Sequence, residues 1–123
     1  MVAFRGKAED LPLQEWLENH IWPMKKARWN PRFVYCHSKK TIREMQKNGI
    51  RAFADMYFFQ DEVIRAAEEF KMPALLGEPI FDFPAPSYKT SREAFRIVEK
   101  QLKKYRKHPF IKIGESPTWC IVL

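Results

Sequence analysis

The chain has 123 residues, 46% of them apolar and 15% aromatic, which excludes a disordered polymer and leaves room for one domain with one core. Its 22 basic residues outnumber 15 acidic ones for a formal charge of +7. The apolar runs are too short to cross a membrane, and Arg5, Lys7, Glu9 and Asp10 break up any leader-like start.

The predicted elements follow in chain order. A first helix starts near Pro12, whose missing N–H is harmless in a first turn; Leu13, Trp16, Leu17 and Ile21 form its apolar stripe and Pro23 ends it. A second helix opens with Asn30 as N-cap and Pro31 as its first residue. Val34, Thr41, Ile42 and Met45 trace its inner side, and Gly49 supplies the left-handed stop.

Residues 50–59 (IRAFADMYFF) read as a strand. Ala52, Ala54, Met56 and Phe58 share one face, and Phe53, Tyr57 and Phe59 the other. Both faces being apolar predicts a strand covered on both sides, as in parallel sheets. A short helix over 61–70 follows, with Val63, Ala66, Ala67 and Phe70 inward. Residues 74–83 (ALLGEPIFDF) form a second strand that Pro79 should interrupt or push to an edge. Thr90 with Glu93 makes a capping box for a helix reaching Lys107, with Phe95, Val98, Leu102 and Tyr105 buried. Residues 110–114 (FIKIG) are a third strand. Strands alternating with helices predict an α/β fold: about three parallel strands with connecting helices, either a small open sheet or an incomplete slice of a (βα)8 barrel.

Basic and acidic residues are mixed, as in 61–71, or lie on the outer face of a helix, as in 100–107, so the charge argues weakly for nucleic acid. The two cysteines, Cys36 and Cys120, fit no CxxC or zinc-finger spacing and read as small apolar residues of a cytoplasmic protein.

Four phrases carry a resemblance: FRGKAEDLPLQEWL from Phe4, NPRFV from Asn30, GIRAFADMYFF from Gly49, and LLGEPIFDF, which contains Asp82. In this order they resemble the S-adenosylhomocysteine/5′-methylthioadenosine deaminases and chlorohydrolases of the amidohydrolase superfamily, over about residues 1–117. The resemblance implies a segment of a (βα)8 barrel several times longer, roughly from after strand one to strand four. It also implies metal-dependent hydrolysis of adenosine-type or heterocyclic substrates, with zinc or iron activating water. In such enzymes a His-x-His pair and later histidines and an aspartate hold the ion. No His-x-His occurs here, and His20, His37 and His108 match none of those positions. The stretch GESPTWC stands where the family carries a substrate histidine; neither Glu115 nor Thr118 supplies one. The resemblance therefore implies a truncated barrel, without cofactor in this chain and without activity alone.

One substrate residue carries over. Glu15, before Trp16, matches the glutamate that approaches ribose hydroxyls; a carboxylate can accept from both. The plainer reading of Glu15 is an exposed first-turn glutamate favoured by the helix dipole. Asp55 and Tyr57 fall at the strand end that faces a barrel's active site, with structural roles as the alternative, and Arg92 lies near a carboxylate-binding position whose motif does not match. The competing account is an interaction module without catalysis. A barrel slice exposes strand edges, so a homo-oligomer or a complementary barrel fragment is expected as partner.

Overall fold

The computed structural model describes residues 12, 15, 19, 29–114, 116 and 117. The stripe expected for the first helix, together with His20 and Cys120, lies outside the described residues.

Helix α1, Pro31–Lys47, starts as its punctuation dictates: the Asn30 side chain accepts the Phe33 N–H at 2.9 Å. It ends at Gly49, whose φ of 77° is cheap only for glycine. Val34 and Ile42 are buried against helix α2, Gln60–Glu69, while Thr41 is half-buried because its hydroxyl donates back to the His37 carbonyl at 2.9 Å. Cys36 does not behave as a small core residue; it is an exposed free thiol on α1.

Between the helices runs β1, Phe53–Met56. It is shorter than the apolar run 50–59, because Phe59 turns into the left-handed region at φ 58° and Gln60 already begins α2. Val63, Ala66 and Ala67 are buried as their spacing requires, together with Ile64 at 0% exposure. The second strand breaks where Pro79 forbids continuation. Strand β2 is Ala74–Gly77, Glu78 interrupts, and β3 is Pro79–Ile80.

Helix α3, Ser91–Tyr105, is capped by the Thr90 hydroxyl accepting the Glu93 N–H at 3.3 Å. Glu93 reaches back to the Lys89 N–H, one residue beyond the usual capping-box partner. Its buried stripe differs from the apolar one expected. Ala94, Val98, Gln101 and Tyr105 are buried, Leu102 is half-buried, and Phe95 is 56% exposed. The 94–98–101–105 spacing follows one helical line with Ala94 permitting close approach, and Phe95 stands about 100° off it. Strand β4, Ile111–Ile113, and β5, Ser116–Pro117, complete the described chain.

Strands β1, β2 and β4 form a parallel sheet in that order, with Phe53, Ala74 and Ile111 in one row and Ala54, Leu75 and Lys112 in the next. β3 and β5 pair in parallel as a second, two-stranded sheet. The helices α1 and α2 and the end of α3 cover one side, where Ala74, Leu76 and Ile111 join Val34, Ile42, Ile64 and Tyr105 in the core. The expectation of two covered faces is not met among the described residues. Ala54, Met56, Leu75 and Lys112 are exposed, with Leu75 at 51% although it lies on the central strand. Among the described residues, no helix is long and apolar enough to cross a membrane.

Candidate functional site

Parallel strands aim their carboxyl ends at one rim, and ligands of α/β folds gather there. The rim of this sheet is formed by Tyr57–Phe59 after β1 and by Glu78 after β2, with the segment 81–90 following β3.

Glu78 is the organising group. It is 1% exposed, yet its carboxylate is fully engaged. One oxygen accepts the Gln60 N–H at 3.1 Å, and the other accepts the Phe59 N–H at 3.3 Å and the Ser87 hydroxyl. Phe59 occupies the N-cap of α2 and offers no side-chain cap, so a strand neighbour supplies the acceptor that the helix start needs. Burial pushes the Glu78 carboxyl above the usual carboxylate range, and its donors only partly offset this. Beside it, Tyr88 is 4% exposed; its hydroxyl donates to the Pro79 carbonyl at 2.7 Å and accepts the Phe81 N–H at 3.0 Å. Ala85 and Tyr88 close the segment with reciprocal backbone bonds.

Gln60 ties the two strand ends together. Its amide donates to the Gly77 carbonyl at 3.2 Å and to the Asp55 carbonyl at 3.4 Å. Asp55 is half-buried, and burial raises its pKa against hydrogen bonds from Gln60 and the Met56 amide. Tyr57 packs its ring 5.4 Å from Trp29, and burial raises its phenol pKa. Tyr57 thus stands at the rim and Asp55 one residue before the end of β1, each with local contacts. A run of rings continues outward, with Phe58 5.0 Å from Trp29 and 6.0 Å from Phe81, and Phe81 stacked on Phe83 at 4.8 Å.

The other candidates lie apart. Glu15 is helical and exposed, and Arg92 is exposed in the first turn of α3. His37 stands on α1 against the Phe33 ring. His108 finishes α3: its Nδ1 accepts the Ile111 N–H at 3.0 Å, and its Nε2 lies 3.3 Å from Glu68. Among the described residues, no three His, Cys, Asp or Glu side chains come together as a metal site. The Glu78 carboxylate does not fit a divalent ion either. Glu78 faces N–H and O–H donors on both oxygens, an arrangement built for its own negative charge.

Gln60, Glu78, Ser87 and Tyr88 were not singled out by the sequence reading. The available signal was Glu78 itself, a lone carboxylate inside the apolar run ALLGEPIF.

No protein-family model matches the chain. Among curated proteins it is 41% identical over 117 residues to 5-methylthioadenosine/S-adenosylhomocysteine deaminase 1 of Syntrophus aciditrophicus, covering 95% of this chain and 26% of that protein. It is 38% identical to the corresponding deaminase of Syntrophobacter fumaroxidans, with the same coverage. Among solved structures, an adenosine deaminase from Xanthomonas campestris with bound zinc superposes at a TM-score of 0.89, with 33% identity over 93% of this chain and 26% of that one. The zinc complex of atrazine chlorohydrolase TrzN from Arthrobacter aurescens gives a TM-score of 0.65 at 16% identity, covering 87% of this chain and 29% of that one, a likeness of fold alone. The chain spans about a quarter of the length of the curated relatives it matches. The three parallel strands and three helices described thus match a fragment of an amidohydrolase barrel, with a partial match in sequence to the 5-methylthioadenosine/S-adenosylhomocysteine deaminases.

Proposed function

We propose that this chain is an amidohydrolase-like barrel segment related to metal-dependent deaminases and hydrolases of adenosine-type or heterocyclic substrates, and that it does not perform that hydrolysis alone. One combination carries the reading: the backbone matches a zinc-bound adenosine deaminase at a TM-score of 0.89, while the sequence contains no His-x-His and the described residues gather no ligand cluster. The donors for an ion must then come from a completing polypeptide. In such a whole, Glu15 is the substrate-binding residue, its carboxylate accepting from two vicinal hydroxyls. A reducing, cytoplasmic setting suits the exposed free thiol of Cys36.

The test is direct. The purified chain is assayed for bound zinc and iron and for ammonia release from adenosine and 5′-methylthioadenosine. The expected result is no stoichiometric metal and no turnover. Stoichiometric metal with turnover by the chain alone defeats the reading.

A second reading, a self-associating or partner-binding module without catalysis, is favoured by one observation. Leu75 lies on the central strand of a parallel sheet and is 51% exposed. Such sheets are ordinarily covered on both faces.

A further inference from the structure

We propose that Glu78 fastens two rim segments into one two-state element, so that the first turn of α2 and the segment 81–88 open and close together.

The argument begins with Phe59. A phenylalanine at φ 58° is strained, and its position at the start of α2 leaves helix N–H groups without a local side-chain acceptor. Both rim amides, of Phe59 and Gln60, are held by the carboxylate of Glu78. The same carboxylate holds the Ser87 hydroxyl, 9 residues further along the chain. Ser87 lies inside the turn closed by the Ala85–Tyr88 bridge. Tyr88 in turn pins Phe81 and Pro79 through its hydroxyl. The two segments therefore share a single buried anchor. Lifting 81–88 takes away one of the three donors that keep a charge tolerable at 1% exposure. Releasing the start of α2 takes away the other two. A buried carboxylate that loses donors becomes costly where it is, so opening of either segment favours release of Glu78 to water, and with it the bonds that hold the other segment. Since the rim is where parallel strands present ligands, the element controls access to that end of the sheet.

Native-state hydrogen exchange on the full chain tests this, comparing the unmodified protein with Ser87→Ala and Glu78→Gln. Two amide sets are followed: Phe59 and Gln60, and Phe81, Ala85 and Tyr88. Val98 and Leu102 on α3 report the remainder of the fold. In Ser87→Ala both rim sets should exchange about tenfold faster by a shared factor, with α3 unchanged, as expected for loss of one charge-assisted bond. In Glu78→Gln both should accelerate further. The proposal is overturned if Ser87→Ala speeds the 81–88 set and leaves Gln60 alone, if neither set moves, or if α3 accelerates equally. Should Glu78→Gln fail to fold, Ser87→Ala alone decides.

Discussion

The Glu78 carboxylate accepts the backbone N–H of Gln60 at 3.1 Å, so the start of α2 is capped by the strand beside it rather than by its own Phe59. This arrangement gives the protein an unusual acid response. Burial raises the pKa of both Glu78 and Asp55, so the folded chain retains protons that the unfolded chain has released. Stability must then fall as pH rises from the ordinary carboxylate range through the raised values, and level off above them. Glu69 opposes this, since Lys39 and Tyr35 lower its pKa, but it is exposed and salt screens it. His37, whose pKa burial lowers, opposes it as well, so the Glu78 contribution is read as a difference: urea midpoints taken from pH 4 to 8 in high salt should fall more, or rise less, with pH in the unmodified protein than in Glu78→Gln. An identical slope in the variant would show that Glu78 carries no raised pKa.

The buried line of α3 separates two substitutions that composition would rank the other way. Val98 is 3% exposed, and Val98→Ala should cost about 2 kcal/mol in transfer and cavity terms. Phe95 is 56% exposed, and Phe95→Ala should stay within about 0.5 kcal/mol. Chemical denaturation of both variants decides, and a larger loss at Phe95 would mean that α3 is rotated from the orientation described.

Gln101 is 2% exposed, and neither atom of its amide has a hydrogen-bond partner among the described residues. Replacing a buried, unpaired amide by an apolar group of similar volume removes a desolvation cost. Gln101→Leu should therefore raise stability by about 1 kcal/mol, read as an upward shift in thermal midpoint. Destabilisation would point to a buried water or other partner on this side chain.

Asn30 caps α1 through a 2.9 Å bond to the Phe33 N–H. Asn30→Ala should cost about 1 kcal/mol and Asn30→Asp close to nothing, because aspartate offers the same acceptor. Equal losses in both variants would assign the effect to packing rather than to the cap.

Leu75 and its row neighbour Ala54 present an uncovered apolar strip on the sheet. If that strip drives association, the chain should sediment as a dimer or larger, and Leu75→Lys should shift it towards monomer with little loss of helical signal. A monomer in both cases removes the interaction-module reading.

Much of the fold was legible because punctuation residues act locally. Asn30 and Thr90 start a helix through a side-chain cap, and Pro31, Gly49 and Pro79 start or stop an element through their own backbone chemistry, and each does so in the structure. What was not legible depended on the third dimension. The end of β1 is set by the left-handed turn at Phe59, which Glu78 sustains from another strand, and no local pattern announces that pairing. The stripe on α3 was misread because polarity was taken as a guide to orientation. Gln101 faces inward because Ala94, Val98 and Tyr105 share its line. The rim suffered for the same reason. Asp55 and Tyr57 were placed there by their position on a strand, whereas Ser87 and Tyr88 reach it through a loop whose path only folding defines. The exposure of one sheet face was likewise hidden, since an apolar strand reads alike whether or not something covers it.

The parallel order β1–β2–β4 has a kinetic corollary. Each pair of neighbours in that sheet is joined through an intervening helix, so none of its ladders can zip up from a tight turn. Loop closure over long stretches has to precede the first ladder bond, which makes assembly slow for so short a polypeptide. During that delay the apolar strands stay available to other nascent copies, and dilution or a chaperone should raise the refolding yield more than it does for a helical bundle of this size.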